Sequence, residues 1–388
     1  MISARHVALA GPADIARHLA AMGYAGDAGA WAAANWQEHV ALLHLSPEAA
    51  VELRRAAERL GVATAIAGDR ALVAAGAAQR RMLARAILLA GDLADALTDL
   101  PAAPDASQQS PPPPIQAGPF TLPFGRKTYV VAIVNVTPDS FSEELGRVPG
   151  VEETAARVRQ AVAEGADIVD IGAESSEARD HGGEAAGEEI RRLIPVLERV
   201  HDLPAPISVD TRRAEVAEAA LRAGAHIVND VDALAGPGMA EVVARHGCPA
   251  VLMHSQASTA YVGDLMEAIA AFLEAAMARA AAVGVPREAL ILDAGFGFGK
   301  TIAQDLEHTR RLGELRRLGR PILHAPSRKR TIGRVLGFPE SIPERLPGTA
   351  AAVALGIGAG ADLVRVHDVR EMARVAQMAD AIVRGRDG

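Results

Sequence analysis

From Phe120 onward the sequence alternates short apolar runs with amphipathic helical stretches, eight times over roughly 270 residues. The runs predicted as strands end near Val134, Ile171, Val209, Val228, Met253, Leu292, Leu323 and Val366. Helical periodicity fills the gaps over 152–164, 187–200, 214–223, 239–246, 264–283, 303–318, 348–358 and 370–384. Strands that are apolar on both faces and separated by helices read as a parallel sheet covered by those helices. Eight such units at this length predict a (β/α)8 barrel. A doubly wound open sheet competes, but its G-x-G-x-x-G after the first strand is absent.

The stretch before the barrel has a different rhythm. An apolar run at 6–10 precedes a helix predicted over 12–22, with Gly23 as its stop. A strand is predicted over 40–45, then a helix with Ser46 as N-cap and Pro47 in its first turn, ending at Gly61. Residues 63–66 and 70–74 read as strands around a Gly68-Asp69 turn, and 79–97 as an alanine-rich helix. This is a small α+β module over 1–100, and it carries no paired carboxylates, Cys/His cluster or phosphate loop. Trp31 and Trp36 are expected to pack in its core. Residues 101–118 form a proline-rich linker whose Ser110-Pro-Pro-Pro-Pro-Ile run favours an extended spacer outside any packed core. The barrel then occupies 119–388.

Composition sets limits on partners. A net charge of −8 argues against a nucleic-acid binder, which needs a basic face. A single cysteine, Cys248, excludes an internal disulfide framework and fits a reducing compartment; it is expected in the core before the fifth barrel strand, not as a nucleophile. No apolar run reaches membrane-spanning length and no basic-then-apolar leader is evident. The expectation is a cytoplasmic protein with neither membrane nor nucleic-acid partners.

In (β/α)8 barrels the C-terminal strand ends form the ligand face, and here each predicted strand runs into a polar group. In order these are Asn135; Asp170 with Glu174-Ser175-Ser176; Asp210; Asn229 with Asp230; His254; Asp293 with Lys300; Ser327-Arg328-Lys329; and Arg365 with His367. Any one could cap the following helix, and His254 reads equally as a packed core histidine. Eight in succession read as a site. The stretch 291–301, Ile-Leu-Asp-Ala-Gly-Phe-Gly-Phe-Gly-Lys-Thr, adds a glycine-rich turn whose Gly295, Gly297 and Gly299 allow close approach to a ligand. It is not a phosphate-binding Walker loop, whose spacing differs. Asp210, Asn229 and Asp293 suit the guanidine-like edge of a pterin or guanine, because a carboxylate accepts two parallel N–H bonds. Lys329, Arg365 and His367 form an expected cationic rim for an anion such as diphosphate. Asn135 offers an oxygen to Mg²⁺, an ion that prefers few protein ligands alongside phosphate and water.

At these residues the sequence resembles the dihydropteroate synthases, of the pterin-binding barrel family. The segments that carry the resemblance are 133–142 (Ile-Val-Asn-Val-Thr-Pro-Asp-Ser-Phe-Ser), 167–175 (Asp-Ile-Val-Asp-Ile-Gly-Ala-Glu-Ser) and 207–211 (Ile-Ser-Val-Asp-Thr). Further on they are 227–230, 252–254, 293–301, 327–329 and 365–369, so that the likeness runs from about 128 to 386 in the family's order. It implies condensation of 6-hydroxymethyl-7,8-dihydropterin diphosphate with 4-aminobenzoate to give 7,8-dihydropteroate and diphosphate, with Mg²⁺ as cofactor and a homodimer as the assembly. By motif it assigns the pterin to Asp210, Asn229, Asp293 and Lys329. Diphosphate and the arylamine go to Ser175, Ser176, Phe298, Ser327, Arg365 and His367, and Mg²⁺ goes to Asn135. Lys329, Arg365, His367 and Asp210 are the expected catalytic set. The family's C–O bond breaks before the amine attacks, so positioning and leaving-group stabilisation carry the reaction.

The second loop departs from the family pattern Gly-Gly-Glu-Ser-Thr-Arg-Pro-Gly, reading Gly172-Ala-Glu-Ser-Ser-Glu-Ala-Arg179, so Glu177 replaces an arginine. The first loop departs too, with Glu143-Glu-Leu-Gly146 where Asp-Gly-Gly is common. A substituted arylamine, as in methanopterin-type pathways, is therefore an alternative acceptor. A pterin-binding protein without synthase activity and a pterin-dependent methyltransferase are further readings.

Overall fold

The computed structural model of the chain describes residues 3–7, 12–34, 39–75, 77–87, 111–136, 150–174 and 185–385, with residues 93 and 97. It divides into two compact units. One holds the N-terminal sheet and its helices together with Ala260–Ala268 and Leu306–Glu314; the other holds Ser110–Thr259, Ile269–Asp305 and Leu315–Gly388.

In the first unit, β1 (Ser3–Val7), β2 (His39–Leu43), β3 (Ala63–Ala67) and β4 (Arg70–Ala74) form an antiparallel sheet in the order β1-β2-β4-β3. The period-two alternation sends Val40, Leu42, Ala71 and Val73 to one face with Leu53 and Leu83. Ala41, Ala65 and Leu72 go to the other with Ile15 and Leu19. Helices α1 (Pro12–Met22) and α3 (Pro47–Leu60) match the sequence expectation. The Ser46 hydroxyl caps α3 by accepting the Ala49 N–H at 3.2 Å, and Gly61 ends it in the left-handed conformation. A helix not anticipated, α2 (Ala28–Ala34), carries Trp31 against the second core cluster; its alanine content was the available signal. Helix α4 (Ala77–Ala86) stops short of the expected end at 97, where only Leu93 and Leu97 are described, both buried. Trp36 lies outside the described residues.

The second unit opens with a hairpin, β5 (Ile115–Ala117) and β6 (Phe120–Leu122), which corrects the linker boundary at 118. Ile115 and Ala117 are buried among barrel residues, and Pro112 is buried as well. Of the proline run only Pro112 enters this core, with Pro111, Pro113 and Pro114 exposed; a proline there lacks a donor that burial would strand.

Eight parallel strands then close in sequence order: β7 (Tyr129–Asn135), β8 (Ile168–Gly172), β9 (Ile207–Asp210), β10 (Ile227–Asp230), β11 (Ala250–Met253), β12 (Leu290–Asp293), β13 (Ile322–His324) and β14 (Leu363–Val366). Pairing of β14 with β7, with Leu363 opposite Tyr129, closes the ring. The outer helices are α5 (Val151–Ala163), α6 (Ala186–Arg199), α7 (Ala214–Arg222), α8 (Met239–His246), α9 (Leu265–Ala282), α10 (Ile302–Arg310), α11 (Arg330–Leu336), α12 (Leu346–Gly358) and α13 (Val369–Arg384). The helix expected over 303–318 is instead α10 followed by a 3-10 turn at Leu312–Leu318, which contains Gly313, a poor α-helix former. Cys248 is buried before β11, and burial pushes its thiol up to about 12, which removes it as a nucleophile. Among the described residues no helix is long and apolar enough to cross a membrane.

Candidate active site at the C-terminal strand ends

The inward positions of each strand change character along its length. Ile168, Ile227, Ile291 and Leu363 belong to one apolar cluster with Ile115, Leu122 and Phe124 of the hairpin region. Two residues further along the same strands stand Asp170, Asn229, Asp293 and Arg365. Side chains two apart share a face, so the apolar plug and the polar layer are successive layers of one interior.

The polar layer is cross-linked. Arg365 donates from Nε to Asp170 at 2.6 Å and from a terminal nitrogen to Asp210 at 2.7 Å, joining β14 to β8 and β9. Asn229 donates its amide at 2.8 Å to Asp170 Oδ2, the same oxygen that accepts from Arg365 Nε, which leaves the Asn229 Oδ1 as an acceptor. Burial raises the Asp170 carboxyl above the ordinary range, Arg365 opposes that, and Asp210 adds to it. Burial works against the Arg365 guanidinium too, but the two carboxylates outweigh it and hold it above its usual value. Gly172 adjoins this cluster: a Cβ there would make ordinary van der Waals contact, 3.4 Å from Asp210 Cβ and 3.5 Å from Asn135 Oδ1. Asn135 therefore ends β7 beside Asp210.

Asp293 ends β12, 4% exposed, and its Oδ1 accepts the Gly295 N–H at 2.7 Å. Burial raises its carboxyl, against the pull of Lys300, Lys329 and Arg365. The glycine-rich turn follows, with φ of +72°, +80° and +60° at Gly295, Gly297 and Gly299. A Cβ at Gly295 would fall 1.9 Å from the His254 carbonyl, and one at Gly299 2.2 Å from that of Gln256, so only glycine fits against the segment after β11. Asp305, fully buried in α10, braces the turn: its Oδ1 accepts the Gly297 N–H at 2.7 Å and its Oδ2 the Thr331 hydroxyl at 2.5 Å. No pattern in the sequence pointed to Asp305, because it lies within a helix and not at a strand end.

After β13, Arg328 sits at φ +57°, a left-handed conformation costly for a residue with a Cβ. It is held there from several sides. Its N–H donates to Thr349 at 3.2 Å, Arg345 donates to its carbonyl at 2.8 Å, and its guanidinium pairs with Asp368. That turn separates Ser327 from Lys329. The Lys329 ammonium lies 4.2 Å from the centroid of the Phe298 ring, a cation–π distance. Ser327 Oγ accepts the His367 backbone N–H at 3.1 Å and sits 3.0 Å from its Nδ1. With one N–H accepted, the hydroxyl proton is available to Nδ1, which assigns the ring proton to Nε2. Burial, with Arg328, Arg365 and Lys329 nearby, pushes His367 down to about 3. The expected cationic rim is thus corrected at this position: His367 is neutral at physiological pH.

Other expected strand-end groups have structural partners. Asp230 accepts the N–H groups of Asp232 and Leu234 at 2.9 and 2.8 Å, and burial pushes it up to about 7. Glu174 is tied to Arg212 and Arg213. His254 is 2% exposed and stacks edge-on with Phe272 at 4.8 Å, the packed reading of the two. Ser175, Ser176, Glu177 and the first-loop segment 143–146 lie outside the described residues.

The strand ends therefore bring together Asn135, Asp170, Asp210, Asn229, Asp293, Lys329, Arg365 and His367, with Phe298 and Ser327 alongside. Buried carboxylates beside retained cations suit a planar ligand rich in N–H donors joined to an anion. The model of the family described as pterin binding enzyme matches residues 131–367. Dihydropteroate synthase of Bacillus subtilis (strain 168) is 43% identical over 280 residues, which is 69% of this chain and 93% of that protein. A solved dihydropteroate synthase of Clostridium difficile, in the presence of pteroic acid, superposes with a TM-score of 0.62 at 42% identity, covering 67% of this chain and 98% of that one. The Xanthomonas albilineans dihydropteroate synthase with 4-aminobenzoic acid gives 0.65 at 39% identity, covering 70% and 98%.

Proposed function

The chain belongs to the pterin binding enzyme family, and from that premise we infer that it is a dihydropteroate synthase. It is a transferase that joins the pterin CH₂ carbon of 6-hydroxymethyl-7,8-dihydropterin diphosphate to the amine of 4-aminobenzoate. The C–O bond breaks with its electron pair leaving on diphosphate, the C–N bond forms, and the amine gives up a proton. The observation that carries this reading is the convergence of Asp210, Asn229 and Asp293 with Lys329, Arg365 and His367 at one end of the barrel.

We propose that Asp293 and Asp210 accept the guanidine-like edge of the pterin, Asn229 contributes its remaining carbonyl oxygen, and Lys329 binds the ring's acceptor side. Arg365 serves two ends: while fixing Asp210 it presents charge to the diphosphate. His367, being neutral with its proton on Nε2, donates to the leaving group without competing for a proton. Phe298 and Ser327 border the arylamine. The preorganised polar groups stabilise charge on the departing diphosphate, so no nucleophile–base pair is needed.

Mg²⁺ fits this donor set only as an ion that arrives with the diphosphate. Among the described residues no three His, Cys, Asp or Glu side chains cluster as a metal site, and Asn135 is a single oxygen donor. Such sparse ligation suits Mg²⁺, which keeps water and phosphate ligands. When bound it would offset the charge of the leaving diphosphate, with Asn135 holding it. A homodimer is supported by Leu355, Met378 and Ile382, exposed apolar residues on α12 and α13. A cytoplasmic residence is supported by the lone buried thiol.

The test is diphosphate release from the dihydropterin diphosphate with Mg²⁺, with and without 4-aminobenzoate. Release that requires 4-aminobenzoate and yields dihydropteroate supports the synthase; absence of pterin binding sinks the pocket assignment. Glu177 in place of an arginine favours a second reading, a substituted arylamine acceptor. Turnover with ribosylated arylamines but not with 4-aminobenzoate would select it.

A further inference from the structure

Lys300 has no role in the ligand assignments above, yet it is placed with unusual economy. An ammonium has three protons. Lys300 Nζ has three acceptors within hydrogen-bond reach: the Gly295 carbonyl at 2.9 Å, the Phe298 carbonyl at 3.0 Å and His254 Nδ1 at 3.0 Å. Since the lysine supplies the proton, His254 accepts through Nδ1 and is neutral. Two of these bonds span the glycine-rich turn from its first glycine to its second phenylalanine. The third anchors that turn to the segment following β11. A Cβ at Gly295 would also lie 3.4 Å from the same Nζ, so the head group is enclosed by the turn it binds.

The turn it holds carries Phe298, whose ring lies under the Lys329 ammonium. The groups around the Lys300 charge come from each neighbouring element. They are Asp293 at the end of β12, Asp305 in α10, His254 after β11, and Lys329 at the start of α11, which shares Asp293 as a partner charge.

We propose that Lys300 is a positioning residue that staples the Gly295–Phe298 turn and thereby sets both the aromatic wall of the arylamine subsite and the Lys329 ammonium beside it. The proposal rests on the synthase reading for its kinetic consequence, but not for its structural one. The staple needs the charged, three-proton form. Burial pushes Lys300 down to about 8, with Asp305 and Asp293 acting against that shift. Deprotonation removes one donor and the charge that strengthens the other two bonds, so the staple loosens as pH rises through that value.

Two measurements test this on the full chain. The first is amide hydrogen exchange of the 295–299 turn between pH 7 and 9.5, corrected for intrinsic exchange rates. In the wild type its protection falls about tenfold across pH 8, while that of α13 is unchanged. In Lys300→Met the turn is poorly protected throughout and shows no step. A wild-type turn equally protected at both ends of the range overturns the proposal, whether or not the protein turns over any substrate. The second is steady-state kinetics. In the wild type KM for 4-aminobenzoate rises about tenfold above pH 8. In Lys300→Met it is raised at every pH and flat, while kcat at saturation changes less than threefold. An unchanged KM in the variant, or a step near pH 8 that survives the substitution, overturns it. An inactive wild type with a normal exchange step would sink the synthase reading and leave the staple standing.

Discussion

The two ends of the barrel are built on the same strands, two residues apart, and obey opposite rules. At one end Ile168, Ile227, Ile291 and Leu363 meet the β5–β6 hairpin in a wholly apolar cluster. At the other, Asp170, Asn229, Asp293 and Arg365 occupy the same inward face. One step of two residues is about 6.6 Å of strand. Over that distance the interior passes from groups that are stable because nothing polar is near them to groups that are stable only because each has a partner. Burial is thus not the distinguishing variable. Asp170 and Ile171 are both fully buried; what separates the two ends is whether a side chain's removal leaves a cavity or an orphaned charge.

The sharpest way to break the comparison is Arg365→Met. It strands Asp170 beside Asp210 without their shared cation, and the expected loss is about 3–5 kcal/mol of stability together with all measurable turnover. Urea unfolding and product formation measured on the same preparation check it; a stable, inactive protein would mean that the carboxylates had found another partner. Lys329→Ala comes next, with kcat/KM falling about a thousandfold, which steady-state kinetics on the folded variant checks. At the apolar end Ile291→Ala should cost about 3 kcal/mol while kcat/KM per folded molecule stays within twofold. A kinetic defect there would show that the two layers are mechanically linked.

The smallest effect concerns Asp230, at the polar end but outside the ligand set. Its folded value of about 7 lies above the ordinary 3.8. The folded state therefore binds more protons in that window, and stability is lost as pH rises from about 3.8 through 7. Asp230→Asn removes that loss, so its unfolding midpoint should gain on the wild type between pH 5 and pH 8. A constant offset between the two proteins would contradict the buried-carboxylate assignment.

Much of this was legible beforehand. Strands buried on both faces and helices with a single apolar face leave unmistakable periods, and helix α8 ends at both expected residues, Met239 and His246. The polar strand ends were legible for the same reason, since a charged residue closing an apolar run stands out. Their pairing was not. Arg365 lies 195 residues from Asp170 and 155 from Asp210, and only closure of the ring makes them neighbours. Arg365 was thus expected as an open cation, and His367 as a charged one although its surroundings keep it neutral. The β5–β6 hairpin escaped notice because three-residue strands are too short to show alternation, and the proline run before it pointed to a spacer.

Asp305 ties the turn after β12 to the helix after β13 through one carboxylate shared between Gly297 and Thr331. Those two segments carry Phe298 and Lys329, whose ring and ammonium meet at 4.2 Å, so they do not vary as independent cassettes. Transplanting either one from a relative, without its counterpart and without Asp305, would import half of a joint. A library that diversifies acceptor choice in this barrel should therefore randomise 295–299 and 327–331 together and keep residue 305 fixed.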